Sequence, residues 1–211
     1  MSFASILHGQ GEAPGDLGSG RENIPINPLN TSTTQKLFMQ KLAFIDLDGV
    51  VCDSTARFAR ATQGGKINWG LAFHPPMLEM DTLIENADKI ILGLESTGWK
   101  IIYLSSRPDR LSEACENWLI QHGLGGRELI LRPAKKEGLK TPQWKAKVIC
   151  TKGTMSESLL FVDDEAENRE AVRDMWRNLQ SATNIQIFES LALVGAAQTA
   201  EILNSTPYSP A

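Results

Sequence analysis

The sequence predicts an α/β protein of three layers, a Rossmann-like parallel five-stranded sheet between helices, with a minimal cap or short flap. Three observations predict it. Between residues 41 and about 190, short apolar runs alternate five times with segments of helical length and spacing. The runs are apolar throughout, as strands covered on both faces are. Two of them, Leu42-Ala43-Phe44-Ile45 and Leu159-Leu160-Phe161-Val162, stop at acids: Asp46 and Asp48 after the first, Asp163-Asp164 after the second. An apolar strand with an abrupt acidic end is what the carboxyl edge of a parallel sheet presents, and open α/β sheets bind their ligands there.

The first strand is Leu42–Ile45, and Gly49 lets the chain turn away from Asp48 and approach a ligand closely. Cys52 to Met77, with Gly64-Gly65 and Pro75-Pro76, is expected to be an irregular loop or flap. Leu83, Ile84, Ala87, Ile91 and Leu94 recur at helical spacing until Gly98 ends the helix. Ile101–Leu104 forms the second strand, closed by Ser105-Ser106-Arg107-Pro108. Leu111, Cys115, Trp118 and Leu119 mark a helix ended by Gly123, and Leu129–Leu131 a short third strand. Thr141-Pro142 supplies a cap and a first-turn proline for a helix through Cys150. After the fourth strand, Val172, Met175, Trp176 and Leu179 define a helix. Strand Ile185–Phe188 and a helix from Leu191 to about Leu203 complete the series. Residues 1–38, rich in Gly, Asn, Ser, Thr and Pro, lack periodicity and are expected to be a flexible tail. The domain is expected over residues 39–204, with a second tail over 205–211.

Composition narrows the class. At 211 residues and 42% hydrophobic content the chain can bury one good core. A net charge of −4 argues against nucleic-acid binding through global charge. Cys52, Cys115 and Cys150 are odd in number and widely spaced, which suits reduced, structural thiols. Nothing basic stands beside Cys52 in the sequence to activate it. No apolar run reaches the ~20 residues of a membrane span, and the first residues do not resemble a signal peptide. No membrane partner is expected, and the localisation expected is cytoplasmic.

Consecutive parallel strands bring their carboxyl ends to one edge, so Asp46, Asp48, Ser105, Arg107, Arg132, Asp163 and Asp164 are expected to converge. Clustered carboxylates repel unless a cation sits among them, and an all-oxygen set suits Mg2+. Acids with a hard cation, a hydroxyl and cationic side chains match phosphoryl transfer, which is largely positioning and charge neutralisation. Gly93-Leu94-Glu95-Ser96-Thr97-Gly98-Trp99-Lys100 imitates a phosphate loop, but Trp99 splits the Gly-Lys pair and the segment precedes a strand. His74 and His122 have no partners at metal-ligand spacing.

Over residues 41 to about 190, Asp46-Leu47-Asp48-Gly49-Val50, Ser105, a lysine early in the 142–150 helix and Asp163-Asp164 resemble, in order, the four motifs of the haloacid dehalogenase superfamily of phosphohydrolases. The resemblance implies a phosphatase with Asp46 as the nucleophile that forms an aspartyl-phosphate. It implies that Asp48 protonates the leaving oxygen and then activates water, for which a raised pKa would help. Ser105 would donate to the phosphoryl oxygens. Lys145 and Lys147 compete for the third motif, and Lys145, closer to the helix start, is chosen. Asp46, Asp48, Asp163 and Asp164 would hold magnesium. Asn168 is a candidate behind them, with a plain exposed helix position as its alternative. No domain-sized cap fits between the motifs, so the site should be open.

A narrower resemblance is to the phosphatase domain of phage-type polynucleotide kinases, carried by Ser105-Ser106-Arg107, Leu131-Arg132-Pro133 and Met175-Trp176-Arg177. It implies that Ser106, Arg107 and Arg132 bind substrate, a guanidinium fork being well suited to phosphate. From Arg132 to Lys152 the basic residues Arg132, Lys135, Lys136, Lys140, Lys145, Lys147 and Lys152 face one acid, Glu137, a run that borders the site and could track a polyanion. Trp69, Phe73 and Trp144 could stack on bases, or serve packing. The partner expected is therefore a phosphorylated nucleotide or a nucleic-acid 3′-phosphate end. A small-molecule phosphatase such as a 5′-nucleotidase is the alternative. A non-catalytic phosphate-binding domain is a third reading, but it predicts a lost nucleophile or metal acid, and all are kept.

Overall fold

In the computed structural model, residues 40–134, 139–179 and 181–205 are described. The tails expected over 1–38 and 205–211 lie outside them, apart from Ser205, as do Lys135 and Lys136 of the basic run. Five parallel strands form the central sheet: β1 Lys41–Ile45, β2 Trp99–Pro108, β3 Glu128–Arg132, β4 Ser158–Val162 and β5 Asn184–Phe188. Their order is β3-β2-β1-β4-β5, with β1 central. The polypeptide winds outward from β1 in both directions, so Asp46 and Asp163 emerge side by side. Asp46 N–H still donates to Val162 O at 2.9 Å, and Asp163 N–H to Phe188 O at 3.2 Å.

Seven helices accompany the strands among the described residues. They are α1 Thr55–Ala61, α2 Trp69–Ala72, α3 Ala87–Ser96, α4 Ser112–Gln121, α5 Thr141–Gly153, α6 Ala166–Leu179 and α7 Leu191–Ser205. Side chains along β1 alternate between two cores, as the pleat requires. Ala43 and Ile45 pack with Ile91, Leu94, Trp118 and Val194 from α3, α4 and α7. Leu42 and Phe44 pack with Ile149, Val172 and Trp176 from α5 and α6. Phe44 lies opposite Phe161 in register and both are fully buried, each contributing about 1.5–3 kcal/mol through burial.

Three local expectations are corrected. The flap is not irregular: α1, a two-stranded hairpin pairing Thr62–Gln63 with Lys66–Ile67, and α2 follow one another. Gly64 and Gly65 close that hairpin with φ of 55° and 75°, the conformation that a tight twisted turn demands. The helix expected from Leu83 begins at Ala87, because Leu83 pairs antiparallel with Cys52 at the flap's base. Thr141 does not cap α5: Lys140 holds the cap position, and the Thr141 hydroxyl accepts a hydrogen bond from Arg132.

Candidate active site

The chain leaves β1 through a tight loop in which the N–H groups of Val50, Val51 and Cys52 all point at Leu47 O. Gly49 makes the turn possible with φ 76°, and a Cβ there would stand 2.2 Å from Asp164 Oδ2. Only glycine lets the first acidic loop pass so close to the second.

Asp46 is buried, and its Oδ1 accepts a hydrogen bond from Leu47 N–H at 2.8 Å. Its Oδ2 meets Lys145 Nζ at 2.7 Å, and the same ammonium lies 2.7 Å from Asp163 Oδ2. Lys145 sits in the second turn of α5 and is completely buried, whereas Lys147 is exposed. Asp163 is positioned from its other oxygen: Oδ1 accepts from Glu165 N–H at 3.0 Å and from Asn168 Nδ2 at 2.9 Å. Asn168 is thus a buried positioning residue, not an exposed one. Asp164 completes the group, for carboxylate oxygens of Asp46, Asp163 and Asp164 all lie within 4.8 Å of one another.

Three carboxylates against one ammonium leave a surplus of two negative charges at this point. Burial pushes Asp46 up to about 7, against the pull of Lys145 and with the Asp163 charge adding to it. Asp164 is raised too, by burial and then by Asp163. A hard dication accepting only oxygen ligands fits this donor set and removes the surplus.

Asp48 lies in the opposite environment. Its Oδ2 accepts from Arg107 Nε at 3.0 Å and its Oδ1 from Arg107 Nη2 at 2.7 Å, and Arg57 reaches the same Oδ1. Both guanidiniums also hold Asp81, Arg107 through Nη2 and Arg57 through Nε, each at 2.7 Å. Burial acts to raise Asp48, yet Arg107 and Arg57 outweigh it and hold the carboxyl below the ordinary range. The raised pKa expected for Asp48 is therefore corrected. Its side chain is committed to arginines and lies outside the Asp46, Asp163 and Asp164 group, in a separate cluster with Cys52 and Asp81.

Arg107 is corrected as well. Expected on a substrate phosphate, it is buried beneath Asp48 and donates to Asp81. The backbone irregularity at the end of β2, between Ser105 and Pro108, accompanies this inward turn. Ser105 is buried, and its hydroxyl accepts from Arg107 N–H at 3.3 Å. Ser106 faces the cleft. Arg132 donates to Leu139 O at 2.6 Å and to Thr141, at the rim of the site. Cys52 does have a basic neighbour, Arg107 Nη2 at 3.1 Å, brought by tertiary contact; burial still drives its thiol far up.

Arg57 and Asp81 were not singled out by sequence reading. Both lie in the flap, where no periodicity or motif marks them; a fully buried arginine is the signal, and only packing reveals it. Arg57 also lies over the rings of Phe58 and Phe73, 4.5 and 5.7 Å from their centres, so it ties the flap down onto Asp48.

Asp46 and Asp48 open into a cleft of about 880 Å³ whose far wall is the flap residues Phe58, Trp69 and Phe73, with Ser106, Lys140 and Asp164 around it. The architecture is similar to that of a haloacid dehalogenase-like family hydrolase from Streptococcus pneumoniae, with TM-score 0.53 and 10% identity over 75% of this chain and 98% of that one. The chain has the haloacid dehalogenase-like fold. A structure of the Pnkp1/Rnl/Hen1 complex matches with TM-score 0.48 and 22% identity over 72% of this chain, which spans 47% of that chain's length. A phosphoserine phosphatase in its apo form matches with TM-score 0.45 and 12% identity over 64% of this chain and 82% of that one. No family model and no curated protein sequence matches the chain.

Proposed function

We propose that the protein is a magnesium-dependent phosphomonoesterase working through an aspartyl-phosphate on Asp46, with a nucleotide or polynucleotide 3′-phosphate end as substrate. One observation carries the reading: a buried lysine bridges Asp46 and Asp163 at 2.7 Å each, at the floor of an open cleft, with Asp164 alongside. Asp46, Asp163 and Asp164 would hold the magnesium ion. When bound, the ion neutralises phosphoryl oxygens that would otherwise repel a carboxylate nucleophile.

The side chains then divide the work. An Asp46 oxygen attacks phosphorus, and the bond from phosphorus to the leaving oxygen breaks, that oxygen taking a proton from Asp48. Water next attacks the aspartyl-phosphate and gives a proton to Asp48, which regenerates Asp46 and releases phosphate. Asp48, held ionised by two arginines, enters the second step ready as the base; for the first it must carry a proton, and its depressed pKa then makes it a strong acid. Lys145 opposes the burial that favours protonated Asp46, and it aims the Asp46 oxygen. Ser106, on the cleft wall, and Arg132, on the groove beside it, would bind the phosphate's substituent, and Ser105 would donate to the phosphoryl oxygens.

The test is a panel of phosphoesters with and without magnesium. Wild-type protein should release phosphate from a 3′-phosphorylated oligonucleotide, and Asp46→Asn should lower the rate on the order of 10⁴-fold or more. Full activity in that variant would sink the mechanism. The net charge of −4 favours a second reading, a small-molecule phosphatase such as a 5′-nucleotidase. Salt separates the two, since only polyanion binding weakens steeply as salt rises.

A further inference from the structure

Trp69 is more than half exposed, at 55%, although it lies on the wall of the cleft that holds Asp46. It is not a loose side chain. Its ring stacks on Phe73 with centroids 5.6 Å apart and an interplanar angle of 22°, and Phe58 meets both rings edge-on at 6.0 and 6.4 Å. Asn68 caps the turn that carries it, accepting from Leu71 N–H at 3.1 Å. The outer face of the indole is therefore a rigid aromatic platform, already held in place before any ligand arrives.

Beyond Trp69 the cleft continues into a groove of about 520 Å³ that shares Trp69, Phe73, Ser106 and Thr141 with it. Arg110 and Arg132 line that groove. Arg110 donates to Phe73 O at 2.8 Å and Arg132 to Leu139 O and Thr141, all neutral acceptors. Among the described residues neither guanidinium is paired with a carboxylate. Carboxylates at the cleft floor, an aromatic platform at its wall and a basic groove beyond it form a graded path.

We infer that this path is a subsite for single-stranded nucleic acid: the terminal base stacks on Trp69 while the phosphodiesters behind it run into the Arg110 and Arg132 groove. The inference rests on the phosphatase reading of the cleft and deepens it by naming the substrate class. An aromatic face with flanking guanidiniums recognises a base and its backbone without regard to sequence. A sugar phosphate has no base to stack on the ring and no phosphodiester to enter the groove. A duplex end would keep its terminal base stacked on its neighbour.

The experiment compares a 3′-phosphorylated single-stranded hexanucleotide with the same strand lacking its terminal base. Trp69→Ala should raise KM for the complete strand about tenfold, within the range for loss of one base-aromatic stack, and Trp69→Phe should restore most of it. For the strand without the base, Trp69→Ala and wild type should differ far less. Arg110→Gln should reduce the salt dependence of KM for the hexanucleotide by about one ion, by analogy with single-strand phosphate neutralisation. If Trp69→Ala affects both strands equally, or neither, while Asp46→Asn still abolishes turnover, the subsite is wrong and the phosphatase reading stands. If wild type turns over no phosphoester in an Asp46-dependent way, both fall.

Discussion

Asp46 and Asp48 are two residues apart in one loop, yet they lie in opposite electrostatic regions. Around Asp46, three carboxylates share one lysine, and the group carries surplus negative charge. Around Asp48, two carboxylates and two guanidiniums balance, Arg107 and Arg57 each joining Asp48 to Asp81. The first region carries unbalanced repulsion. The second is neutral, and it fixes the position of Asp48 at the cleft and of the flap above it. Asp46 thus lies in a group short of positive charge and Asp48 in a balanced one, although a single residue, Leu47, separates them.

The largest effect should come from breaking the balanced half. Arg107→Ala removes one of the two guanidiniums that Asp48 and Asp81 share, leaving Arg57 alone between them, and should cost about 3–5 kcal/mol in chemical denaturation. Arg107→Lys should recover only part, because one ammonium cannot fork between two carboxylates. A cost near zero for Arg107→Ala would show that the arginines do not hold the region together.

The pH dependence of stability sharpens the contrast. Asp46 in the folded protein is raised from 3.8 to about 7, so the folded state holds its proton more tightly than the unfolded chain does. That contribution is fully present below pH 3.8 and is lost as pH rises toward 7, a loss of order a few kcal/mol. Asp48 is lowered, so its contribution is present above 3.8 and is lost as the solution is acidified through its folded value. Thermal melts in chelator across pH 4 to about 8 should therefore slope downward, and Asp46→Asn should flatten the slope. An unchanged slope in that variant would place the repulsion elsewhere.

The smallest effect concerns the supporting layer of the acidic half. Asn168→Ala removes the 2.9 Å donor to Asp163 Oδ1 and should weaken magnesium affinity about tenfold, as loss of a ligand-orienting group does. Magnesium titration followed by melting temperature measures it, and an unaltered affinity would mean that Glu165 N–H and Lys145 orient Asp163 without Asn168.

Much of this was legible in the residues. The apolar runs located all five sheet strands, and their alternation with helices implied a parallel sheet with an acidic carboxyl edge. Strand-end chemistry works at a distance because parallel topology brings the ends together whatever the details of packing. Reading failed where a side chain's fate depends on which way it turns after the strand ends. Arg107 was expected to bind substrate and turns inward beneath Asp48; a raised pKa was expected to help Asp48, and two arginines lower it instead. Arg57 and Asp81 left no trace, since a flap without periodicity does not announce what it buries.

By itself, then, the sequence determined the layered α/β fold, the edge of the sheet that carries the site, and the residues Asp46, Lys145, Asp163 and Asp164 as candidates for it. The fold, the edge and the acids follow from local periodicity and from the order of strands, which short-range patterns record; Lys145 follows from the resemblance to the haloacid dehalogenase phosphohydrolases. The tertiary structure alone decided which charge meets which: that Lys145 bridges two carboxylates, that Arg57 and Arg107 neutralise Asp48, and that Trp69 stands rigid at the mouth. Coulomb interaction and desolvation depend on distances of a few ångströms between residues tens of positions apart, and only the packed chain sets those distances.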